Sequence, residues 1–84
     1  MLKLYPNPAY DYVTVEYRTA SMVYNTLSLV IFDAGGKAVL NRPLQGGDNE
    51  ELIDLSRLNS GTYIVRLMAD NRQIAEEKLT VLKP

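Results

Sequence analysis

The chain has 84 residues, a net charge of −1 from nine basic and ten acidic side chains, and no cysteine, histidine or tryptophan. That excludes disulfides and thiolate metal sites, every catalytic triad built on an imidazole base, and the basic footprint of a nucleic-acid binder. With 46% hydrophobic and 23% charged residues and no apolar run of about 18 residues, the sequence describes one small globular domain over residues 1–84 that does not span a membrane.

Seven short strands are expected along the chain, and residues 2–5 form the first. Tyr5-Pro6-Asn7-Pro8 comes next. Its prolines fix φ, remove two amide donors and restrain the residue before each, so an extended lead-in that cannot continue a sheet ladder is expected. Residues 13–17 alternate apolar and polar, as a half-buried strand does. Residues 27–32 put Leu27, Leu29 and Ile31 on one face and Val30 and Phe32 on the other, as in a central strand with some cover. Asp33-Ala34-Gly35-Gly36 then supplies the positive φ of a tight hairpin.

Strands over 37–42 and 51–55 flank a second turn at Gly46-Gly47-Asp48-Asn49. The stretch DLSRLNSGTY, residues 54–63, follows. Leu55 and Leu58 sit three apart, as one helical turn plugging the end of a sandwich requires. Gly61 permits a reversal, and Tyr63 is placed for its hydroxyl to reach back to the preceding loop, in the manner of a tyrosine corner. Strands over 62–68 and 74–82, joined at Ala69-Asp70-Asn71-Arg72, complete the chain. Turn signals at this spacing, with no long helical pattern, predict an all-β, seven-stranded, antiparallel immunoglobulin-like β-sandwich. Its expected core is Leu4, Val13, Val15, Leu29, Ile31, Val39, Leu55, Leu58, Tyr63, Val65, Leu67, Leu79 and Val81.

Few residues carry a chemical signal. Asp48, Glu50, Glu51 and Asp54 cluster, but not at calcium-loop spacing, and read as a solvated acidic edge that discourages strand pairing. Tyr5, Tyr10, Tyr12 and Tyr17 crowd the amino end. Exposed tyrosines can form a sugar platform, yet tyrosine is also a favoured strand residue that shields a sandwich flank. No catalytic residue, metal site or cofactor is implied, and the chain is not expected to be an enzyme.

The order of the motifs adds what each alone does not. Tyr5-Pro6-Asn7-Pro8 before an alternating strand, the Asp33-to-Gly36 turn, the corner over residues 55–63 and the lysine-bearing end Lys78-Leu79-Thr80-Val81-Leu82-Lys83 together resemble the type A C-terminal sorting domain of the type IX (Por) secretion system. The resemblance covers essentially the whole chain. It implies an immunoglobulin-like sandwich at the carboxyl end of a larger protein, acting as an address that the type IX translocon reads. Cargo so marked passes through the periplasm and across the outer membrane to the cell surface or the medium. There a surface sortase complex commonly removes the domain and attaches the cargo to an anionic lipopolysaccharide, while some surface-complex components retain theirs. The processing site is expected upstream of the domain.

Carried onto this chain, the resemblance assigns translocon and sorting recognition to Lys78, Leu79, Val81 and Lys83. Pro6, Asn7, Pro8, Asp33, Gly36, Gly61 and Tyr63 are family motif residues with a shaping role. A last strand at a sheet edge would offer its backbone to a translocon subunit by strand addition, and exposed edge strands and the apolar stretch at Val30 and Phe32 would allow a homodimer. Two rival readings are a generic fibronectin-III or adhesin-type structural domain and a carbohydrate-binding module using Tyr10 and Tyr12.

Overall fold

A computed structural model describes residues 2–84. Seven antiparallel strands are present: β1 (Leu2–Tyr5), β2 (Tyr12–Arg18), β3 (Leu27–Phe32), β4 (Ala38–Pro43), β5 (Asp48–Asp54), β6 (Gly61–Ala69) and β7 (Arg72–Val81). They form a three-stranded sheet, β1-β2-β5, and a four-stranded sheet, β4-β3-β6-β7. The expected all-β immunoglobulin-like sandwich is what the chain adopts.

Turn chemistry sets the hairpins. Asp33 accepts backbone N–H bonds from Gly35 at 3.0 Å and Lys37 at 2.9 Å through its Oδ1, and Gly36 takes φ 87°. An aspartate that bonds its own downstream amides closes the β3–β4 turn without help from elsewhere. Between β6 and β7 the two loop residues Asp70 and Asn71 have φ of 51° and 65°. Positive φ at both central positions is the mark of a type I′ turn, whose twist suits an antiparallel hairpin.

The core lies between the sheets. Val13, Val15 and Tyr17 of β2, Leu29 and Ile31 of β3, Ile53 of β5, Val65 and Leu67 of β6 and Leu79 and Val81 of β7 are fully buried, as is Leu55 just beyond β5. Leu4 and Leu58 pack against this cluster only partly buried. Val39 does not join it, being 36% exposed. The register is the reason: Ile31 faces Leu40 and Leu29 faces Arg42, so Leu40 points inward and Val39 outward. A one-residue shift exchanges the two faces of a strand.

Arg66 stands beside Val30 and over Phe32. Val30 and Glu76 both sit opposite Arg66 on the outer face of the four-stranded sheet. The Arg66 guanidinium lies 4.8 Å from the Phe32 ring centre, and its Nε is 2.8 Å from Glu76 Oε1. An arginine stem and planar head laid across an apolar patch shield it while the charge stays wet.

Candidate functional site

The prolines open the site. After Tyr5 the chain leaves the three-stranded sheet through bends at residues 6–8, with both the Tyr5–Pro6 and Asn7–Pro8 peptide bonds cis. The extended lead-in expected of this stretch is corrected by those bends: proline fixes φ but not the direction the chain takes through ψ. The expectation that it cannot continue a backbone ladder holds for the prolines, and Asn7 supplies the substitute. Its Nδ2 donates to the Lys78 carbonyl at 2.7 Å, and its Oδ1 accepts from the Thr80 amide at 3.0 Å. A side-chain amide carries one donor and one acceptor side, so it stands in for a peptide group on the edge of β7. Ala9 follows with true backbone bonds, donating to Thr80 O and accepting from Leu82 N, each at 2.9 Å. Ala9 thus makes a parallel bridge with Val81.

The lysine-bearing end divides into two kinds of residue. Leu79 and Val81 are fully buried in the core, whereas Lys78 is exposed. Lys83 is half-buried, and its Nζ donates to the carbonyls of Tyr10 and Leu55, both at 3.0 Å. Its own amide donates to Ser60 Oγ at 2.8 Å. An ammonium offers only donors, and here two backbone acceptors from different loops take them up.

The corner is built as its spacing predicts. Leu58 N donates to Leu55 O at 2.9 Å, closing one turn. The Tyr63 hydroxyl donates to Asn59 O at 2.7 Å, and Gly61 pairs with Val81. Asp54 starts the turn by accepting the Ser56 amide at 2.8 Å. That backbone bond holds its carboxyl below the usual range, with the Ser56 hydroxyl and the charges of Lys83 and Arg57 acting the same way. The aspartate-glycine turn is its neighbour: Asp33, Ala34 and Gly35 share a cleft with residues 60–63. All four motifs therefore meet at one end of the sandwich.

The remaining sequence signals fall elsewhere. Tyr17 is core, its hydroxyl donating to Gln45 O at 2.8 Å and its ionisation pushed up by burial. The Tyr5 hydroxyl donates to the Glu50 carboxylate, which raises the Tyr5 pKa to about 12. Tyr10 and Tyr12 are exposed at 57% and 53%. The acids of β5 alternate: Glu51 lies 3.5 Å from Arg42, and Asp48 accepts the Ala20 amide. Two anchors at the far end were not among the candidate site residues. Thr19, 1% exposed, bonds Tyr24 and Gly47, while Asp70 accepts the amides of Asn25 and Thr26 at 2.9 Å. The signal for Asp70 was its turn position; what it holds is 44 residues away.

Among the described residues the polar side chains of this end tie loops and strands together. The class so defined is a small immunoglobulin-like β-sandwich. The family model for the secretion system C-terminal sorting domain matches residues 3–82. The chain belongs to that family and is a sorting signal of the type IX secretion system, which implies export across the outer membrane. No curated protein matches the chain. No helix among the described residues is long and apolar enough to cross a membrane.

Proposed function

We propose that the sorting signal is read as a folded surface, assembled where the opening and closing motifs bind each other. The observation that carries this reading is the pairing of Asn7 with Lys78 and Thr80, across more than 70 residues of sequence. Lys78 presents its charge to the type IX translocon, Leu79 and Val81 hold the strand in register beneath it, and Lys83 locks the tail. Pro6, Asn7, Pro8, Asp33, Gly36, Gly61 and Tyr63 give the surface its shape. Residues 1–84 act as one module carried at the carboxyl end of a cargo protein. It passes the periplasm, reaches the outer-membrane surface or the medium, and meets the surface sortase complex there. The module catalyses nothing itself, and its open edges permit self-pairing.

A competition experiment tests the reading. The isolated folded domain should compete with a type IX cargo for binding to detergent-solubilised translocon, and a synthetic peptide of residues 72–84 should not. Equal competition by the peptide would show that a linear tail is read.

A further inference from the structure

Tyr10, Asp11 and Tyr12 form a second feature, which the sorting motifs do not include. With Pro6 they line a cleft beside the amino-terminal strap. The backbone under it is pinned from within: the Tyr10 carbonyl accepts from Lys83 Nζ at 3.0 Å, and the Asp11 carbonyl from Leu55 N at 2.8 Å. With their carbonyls held, these residues present their side chains on a fixed frame, and Tyr12 is already in β2. A surface arranged before binding loses less entropy when a ligand arrives.

The polar groups of the cleft are unspent. Among the described residues the Asp11 carboxylate has no hydrogen-bond or ion-pair partner, and neither the Tyr10 nor the Tyr12 hydroxyl makes a bond. Two other rings of this domain already carry a cation of their own, with Lys3 over Tyr5 at 5.7 Å and Arg66 over Phe32 at 4.8 Å. No cation lies over Tyr10 or Tyr12 among the described residues.

From this geometry we infer that the cleft docks an arginine side chain from a partner protein. The chemistry of the lining selects that occupant. Its charged group only accepts hydrogen bonds, its rings offer negative π faces, and no amide or guanidinium side chain lines it. A guanidinium is the complement: it only donates, it is planar, and it stacks on tyrosine. A sugar carries no positive charge, so it leaves the Asp11 carboxylate without the ion-pair partner that a guanidinium supplies. Proline at position 6 adds an apolar wall against which the arginine stem packs. This surface needs only the folded domain, so it stands apart from how the terminal strand is read.

The test is an NMR titration of the domain with acetyl-arginine-methylamide, with maltohexaose run in parallel. Arginine should shift the amides of residues 10–12 with millimolar affinity. Asp11→Asn should weaken that affinity about threefold, the size expected of one exposed charge pair. Tyr12→Ala should abolish the shifts while the rest of the spectrum stays dispersed. The proposal is overturned if arginine leaves these amides unmoved, if maltohexaose moves them instead, or if Asp11→Asn binds as well as the parent domain.

Discussion

Asn7 shows how one side chain joins distant sequence. Asn7→Ala removes both bonds to β7, and since each net hydrogen bond is worth about 1 kcal/mol, the domain should lose about 1–2 kcal/mol in urea unfolding. Hydrogen exchange at the Thr80 amide should rise with it, because Asn7 Oδ1 is that amide's acceptor. An unchanged Thr80 exchange rate would contradict the role assigned to Asn7. Asp70 gives a pH-dependent counterpart. Backbone bonds from Thr26 and Asn25 hold its carboxyl below 3.8. A depressed folded value stabilises the domain above the unfolded pKa, and this is lost as pH falls through the folded one. The melting temperature of Asp70→Asn should therefore fall less than that of the parent between about pH 5 and pH 3.

At the scale of elements, β7 carries two roles that substitution separates. Leu79→Ala empties a fully buried position and should cost about 2–5 kcal/mol. Lys78→Glu, on the exposed side of the same strand, should change stability by no more than about 0.5 kcal/mol while reducing export of a fused reporter. Export at the parental level from a well-folded Lys78→Glu protein would remove Lys78 from the read surface. Removing residues 79–84 cannot separate these roles, because it takes out the buried Leu79 and Val81 together with Lys83.

The elements were also the most legible level. Period-two patterning placed every strand, and Tyr63 was placed for its bond to the loop behind it. What escaped depends on partners the local pattern does not encode. Val39 and Leu40 are both apolar, and only pairing with β3 decides which faces inward. β5 begins at Asp48, inside the expected turn, because Asp48 to Asp54 align with β2 despite their acids. The motif residues were visible one by one, but the bonds of Asn7 to β7 and of Lys83 to Tyr10 were not. Both span more than 70 positions.

For the molecule as a whole, the chain ends are the organising feature. The strap after β1 closes part of the edge of β7, and Lys83 clamps the tail to Tyr10 and Leu55. Opening motif, turn, corner and terminal strand then present one surface that exists only in the folded domain. The most direct measurement fuses residues 1–84 to the carboxyl end of an inert periplasmic reporter in a bacterium with type IX machinery, and quantifies reporter on intact cells. The account predicts surface display that disappears when the translocon is deleted and drops with Asn7→Ala. A reporter that stays in the periplasm with the machinery intact would contradict it.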